Sequence, residues 1–208
     1  MYEKTKNLLK LAKERNTAVI AFICMDYIMA RSVVYAAEKT NTPAIIMLYP
    51  EHVSIQHTAG LSNFATMVKE LANEVIVPIG LHADHDYSYE AVVKTMDAGF
   101  DSIMIDGSMY SLEKNISITK EVVSKAHSMD ICVEGEVGHV GLAGESDNSK
   151  EDLYTRPEVA KQFCEATKVD ALAVSIGNAH GEYKSVPKLD IKRLEEIHEA
   201  IDTPLVLH

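Results

Sequence analysis

The chain has 208 residues, 47% of them hydrophobic, and a formal net charge of −11. That length and apolar content suffice for a sizeable core in one domain, whereas the acidic balance argues against nucleic acid, whose binding needs a basic face to displace counterions from phosphate. The longest apolar runs, about seven or eight residues, fall well short of the roughly 20 that a membrane span needs, so no membrane partner is expected.

The amino terminus, MYEKTKNLLKLAKERN, places leucines among charges at helical spacing. It lacks the apolar core of a secretory signal, which predicts a first helix and a cytoplasmic protein. Short β-branched runs then alternate with longer amphipathic ones. A strand is predicted at 18–24, followed by a helix at 26–40 with Ile28, Val33, Val34 and Ala37 on one side. Next come a strand at 44–48, a helix at 61–74, a strand at 77–84 and a helix at 88–97. Ser88 suits that helix's start and Gly99 its exit, while Pro43 and Pro204 bar the preceding helices from continuing. The pattern goes on with strands at 102–106, 131–137, 171–177 and 204–208, separated by helices at 111–127, 156–167 and 190–200. Cys24, Cys132 and Cys164 all lie in apolar segments without a CxxC pair, which suits buried small hydrophobes better than disulfides or a cysteine zinc site.

Seven strands alternating with covering helices predict an α/β protein with a parallel sheet. The (β/α)8 TIM barrel is its natural host, and a doubly wound open sheet shares the alternation. The barrel is favoured by where the polar residues fall. Because an eightfold barrel uses about 250 residues, the expectation is a single barrel domain over 1–208, with about seven βα units, stopping at the end of strand seven.

Barrel active sites gather at the carboxyl ends of strands. Here those ends read LHADHD (81–86), IMIDGS (103–108), VEGEVG (133–138), SIGNAHGEYK (175–184) and LVLH (205–208). Three histidines, His85, His180 and His208, and two carboxylates, Asp106 and Glu136, supply the imidazole and oxygen donors that zinc or a similar transition metal prefers. Strict strand alternation sets His82 and Asp84 on one face and His85 on the other, so they are not all ligands; His82 reads as a packed residue.

Five segments, in this order and spacing, then carry a likeness: LHADHDYSYE, AGFDSIMIDGS, VEGEVGHVG, GNAHGEYK followed by PKLD, and PLVLH. With them most of the chain resembles the class II, zinc-dependent ketose-bisphosphate aldolases, of the fructose- and tagatose-bisphosphate type. The resemblance implies that His85, His180 and His208 hold the catalytic zinc and that Asp84 is the acid/base residue. It makes Asp106 and Glu136 an alternative or second position, for a further divalent or monovalent cation. Gly181 matches a glycine whose backbone approaches the dihydroxyacetone-phosphate moiety, and Glu145 matches a mobile-loop glutamate that moves a second proton. The implied reaction is reversible cleavage of a ketose 1,6-bisphosphate to dihydroxyacetone phosphate and glyceraldehyde 3-phosphate, by a homodimer or homotetramer. Cleavage leaves electron density on a carbon that becomes an enediolate, and a divalent ion is suited to take up that charge.

The chain departs from the family in three places. AFICMD (21–26) stands where the family has an asparagine-bearing AFN segment, and Asp86 stands where glycine is common. Lys184 is the cation placed to offset Asp86 near a substrate phosphate. The family's glycine-serine phosphate loop and its eighth-strand segment fall beyond His208. These departures leave two alternatives to the bisphosphate aldolase: a non-catalytic or truncated metal-binding relative, and an aldolase for a different phosphorylated carbonyl substrate.

Overall fold

Pro43 and Pro78 each end a connection and release the chain into a strand, and each following strand pairs in parallel with its neighbour. The computed structural model describes residues 1–55, 60–138, 140, 154–183 and 186–208. The elements run α1 (Thr5–Glu14), β1 (Ile20–Ile23), α2 (Tyr27–Thr40), β2 (Ala44–Leu48), α3 (Glu51–Ile55), α4 (Leu61–Asn73), β3 (Ile79–Asp86) and α5 (Tyr89–Asp97). They continue with β4 (Ser102–Ile105), α6 (Leu112–Ser128), β5 (Cys132–Val137), α7 (Pro157–Thr167), β6 (Ala171–Val174), α8 (Ile191–Ala200) and β7 (Leu205–Val206). Strand order equals chain order, β1 to β7. A doubly wound sheet reverses its order at a switch point; this one does not, so the fold class is the (β/α)8 barrel type, represented by seven strands. Among the described residues no helix is long and apolar enough to cross a membrane.

The chain divides into two compact units, Met1–Ile105 with Lys125–Val133, and Asp106–Ser124 with Glu134–His208. In the first, β2 and β3 are buried along almost their whole length, as expected of parallel strands covered on both faces. Helices α2 and α4 turn Ala30, Val34, Phe64, Val68 and Leu71 inward. Each large side chain so buried contributes about 1.5–3 kcal/mol. Asp26 caps α2 by accepting from the Met29 amide (2.8 Å), and Ser88 caps α5 by accepting from Ala91 (3.2 Å). Strand β1 is an edge of the sheet and leaves Ile20 62% and Phe22 41% exposed.

In the second unit, β5 pairs with β6 and β6 with β7. The Thr155 hydroxyl, fully buried, donates to the Val137 carbonyl (2.5 Å) and accepts from the Ser175 amide (2.9 Å), so one side chain joins the ends of β5 and β6. Asp190 caps α8 through the Arg193 amide (2.9 Å).

The seven strands and seven long helices fall where periodicity puts them, with shifted ends. Strand β3 runs to Asp86 rather than Asp84 and begins after Pro78, which has no amide hydrogen to give a sheet. Strand β6 stops at Val174 instead of 177, because the Asn178 side chain takes over the Val174 carbonyl (3.2 Å) and the Ile176 amide (2.8 Å). Strand β7 is two residues long rather than five, and α3 has no counterpart in the sequence reading.

Candidate active site

In the first unit, at the end of β3, alternation alone would send Asp84 and His85 to opposite faces. Against β4 the register steps from Ala83↔Ile103 to His85↔Met104, two residues forward on β3 for one on β4. That is a β-bulge at Asp84, a device that re-aims side chains near strand ends. It brings Asp84 Oδ1 to 3.7 Å from His85 Nε2, with both side chains buried. His82 is buried with its Nδ1 2.7 Å from Ser102 Oγ, the packed position expected of it. Asp86 is also buried; burial pushes its carboxyl up to about 6, against the pull of the Thr95 hydroxyl, which donates to Oδ2 at 2.8 Å, and with a smaller push from the Asp84 charge.

The second unit holds two pairs of its own. Asp106 follows β4, and its Oδ1 accepts from the Ser108 amide (2.9 Å), a local turn that fixes the carboxylate. Glu136 lies on β5, whose backbone is anchored by Asn115: its Nδ2 donates to the Glu136 carbonyl (2.8 Å) and its Oδ1 accepts from Thr119 (3.1 Å). Oxygens of Asp106 and Glu136 lie within 4.8 Å of each other. Two carboxylates that close favour a cation or a shared proton.

The other pair is His180, after β6, and His208, after β7. Their rings meet edge to face with centroids 5.4 Å apart, and a nitrogen of each lies within 4.8 Å of one on the other. His208 is held twice. Its Nε2 is 2.9 Å from Glu134 Oε1, and its backbone carbonyl accepts from Asn178 Nδ2 at 3.2 Å. Gly181 has φ +89°, a conformation that side chains rarely adopt, and among the described residues no atom lies within 4 Å of the place its Cβ would take.

The structure thus brings Asp84 to His85, Asp106 to Glu136, and His180 to His208, and among the described residues nothing crowds Gly181. Glu145 and Lys184 lie outside the described residues. Two residues escaped the sequence reading, Glu134 and Asn178. Glu134 was legible, since it stands two positions before Glu136 and so shares its strand face. Asn178 carried no comparable signal, because its role is to bond backbone groups that no pattern foretells. Imidazole nitrogens beside carboxylate oxygens form a donor set that fits zinc, and the three cysteines, all buried, take no part in it.

Comparison with known proteins places the chain among aldolases. The family model described as fructose-bisphosphate aldolase class-II matches residues 3–208. The YdjI aldolase from Escherichia coli K12 is 32% identical, with a TM-score of 0.87 over 100% of this chain and 73% of that one. A candidate fructose-1,6-bisphosphate aldolase from Coccidioides immitis is 31% identical, with a TM-score of 0.86 over 99% of this chain and 72% of its own. Fructose-bisphosphate aldolase from Campylobacter jejuni, at 24% identity, TM-score 0.77 and coverage of 99% and 69%, shares the fold.

Proposed function

The chain belongs to the class II fructose-bisphosphate aldolase family, and on that premise we propose that it is a zinc-dependent lyase that reversibly cleaves a ketose 1,6-bisphosphate to dihydroxyacetone phosphate and glyceraldehyde 3-phosphate. The observation that carries the reading is the paired nitrogen donors of His180 and His208 at the ends of β6 and β7. In the proposal His85, at the end of β3, completes a three-imidazole set, and Asp106 with Glu136 form the alternative or second cation position. When bound, the ion supplies Lewis-acid polarisation of the substrate carbonyl.

The remaining steps belong to the chain's own residues. Asp84 takes the proton from the C4 hydroxyl as the carbon–carbon bond breaks and returns it in the reverse direction, a transfer that typically contributes about 10² to 10⁴ in rate. Its carboxylate is kept beside His85 by the β3 bulge, so base and ligand are positioned by one backbone feature. Gly181 lets the main chain approach the dihydroxyacetone-phosphate end, where its open surroundings leave room. Glu145 carries the second proton, and Lys184 has the role of offsetting the Asp86 charge toward substrate phosphate. The reading includes a cytoplasmic homodimer or homotetramer.

A coupled cleavage assay with fructose and tagatose 1,6-bisphosphates tests it. Turnover should vanish with chelator and return with zinc, and Asp84→Asn should lower kcat by about 10² or more while metal content stays unchanged. Cleavage indifferent to chelator would refute the proposal. A second reading, an aldolase for another phosphorylated carbonyl compound, is favoured by Cys24 after β1. That thiol is buried and held protonated, pushed up to about 11 by desolvation and then by Asp26, and a cysteine side chain has no amide to offer substrate. Cleavage confined to a different substrate in a panel would select it.

A further inference from the structure

The proposed reaction gives His208 a task and leaves its partner Glu134 without one. Glu134 lies on β5, in register with Ala171 of β6. Its Oε1 is 2.9 Å from His208 Nε2, and each of the two side chains is only 8% exposed. Burying a carboxylate is expensive unless a hydrogen-bond donor meets it, so a glutamate facing inward on a central strand calls for a reason. The donor that meets this one is the imidazole N–H. A neutral imidazole has one N–H and one lone-pair nitrogen, and the hydrogen bond made by the first decides the identity of the second. With the proton on Nε2 and directed at Glu134, the lone pair is on Nδ1. The backbone of His208 is fixed independently, through the Asn178 amide on its carbonyl.

We propose that Glu134 is a positioning residue for His208: its carboxylate accepts the Nε2 hydrogen, sets the ring's rotation, and presents Nδ1 as the metal-binding nitrogen. This rests on the reading of His208 as a ligand. Glu134 touches neither substrate nor metal and acts through the imidazole. Glu136, two residues on, has the different task of offering oxygen with Asp106, so alternate positions of one strand support two parts of the site. The rigidity of β5, buried along all six residues, makes it a better mount for such a partner than a loop.

The test measures zinc affinity by competition with a chromophoric chelator for the wild-type chain, Glu134→Ala and Glu134→Gln. Outer partners of this kind typically change metal affinity about 10–100-fold, so Glu134→Ala should weaken zinc by that factor. Glu134→Gln, whose amide oxygen still accepts from Nε2, should recover most of the loss. A long-range proton–nitrogen correlation spectrum of the zinc-loaded wild-type chain should show His208 metallated at Nδ1 and protonated at Nε2. Zinc on Nε2, or unchanged affinity in Glu134→Ala, overturns the assignment; if that variant fails to fold, the wild-type spectrum decides. Wild-type protein that takes up no zinc overturns the metal reading as well, whereas zinc bound with the opposite tautomer overturns Glu134 alone.

Discussion

Gly107 sits in ordinary backbone conformation, so replacing it by alanine tests contact alone. An added Cβ would lie 2.4 Å from Asn115 Oδ1, 2.9 Å from its Cγ and 3.3 Å from its Cα. The amide has to move by about 1 Å to restore van der Waals distance in a close-packed interior. It is 3% exposed and anchors the carbonyl of Glu136, itself 1% exposed, so the movement costs a buried hydrogen bond in addition to overpacking. Overpacking contributes about 1–3 kcal/mol and the unsatisfied carbonyl about 1–3 kcal/mol, which makes Gly107→Ala destabilising by about 2–6 kcal/mol. At about 2–4 °C per kcal/mol for a chain of this size, Tm should fall by about 4–24 °C. Urea denaturation of Gly107→Ala, Asn115→Ala and the double variant closes a thermodynamic cycle. Without the Asn115 amide the two closest contacts disappear and only the 3.3 Å approach to its Cα remains, so the double variant should be about as stable as Asn115→Ala, with a coupling of about 2–6 kcal/mol, nearly the whole effect of Gly107→Ala. Strict additivity, or a neutral Gly107→Ala, would show that the amide does not hold Glu136 in the way described.

Asp86, pushed up to about 6, binds its proton more tightly when folded than when unfolded. Stability therefore falls as pH rises from the ordinary 3.8 through 6, and the cost is complete above that window. In chelator-treated protein, Asp86→Asn should match the wild type near pH 4 and exceed it by up to about 3 kcal/mol at pH 7; a difference independent of pH would contradict the burial argument. Gly181→Ala meets no atom of the described residues but adopts φ +89°, so it should lose about 1–2 kcal/mol of stability. Its kcat/KM should drop about tenfold or more if the backbone approaches substrate, and full activity would remove Gly181 from the site. Thr155→Val strands the Val137 carbonyl and the Ser175 amide, which predicts a loss of about 1–3 kcal/mol by urea denaturation; unchanged stability would mean that other groups satisfy both.

How far the sequence could be read depends on the range of the force concerned. Seven strands and their covering helices were visible because apolar periodicity is imposed by burial, which every residue of β2 or β3 senses. The ends were less visible, since they depend on single partners. Asn178 terminates β6 with its side chain, and Pro78 delays β3. The β3 bulge lay beyond any pattern argument: alternation separates Asp84 from His85, and only the register with β4 reunites them. Glu134 stood in plain view as Glu136's neighbour on the face, yet its importance appears only when His208, distant in sequence, arrives beside it. The five-residue α3 is too short to show helical periodicity.

Zinc K-edge X-ray absorption on the metal-loaded chain addresses the central assignment directly, because it counts imidazoles around the ion. Three imidazole nitrogens at about 2.0–2.1 Å, with oxygen completing the shell, are predicted. Replacing His85, His180 or His208 by alanine should each remove one. A shell with sulfur, with oxygen alone, or with nitrogen unchanged in all three variants would contradict the assignment of these histidines as the ligands.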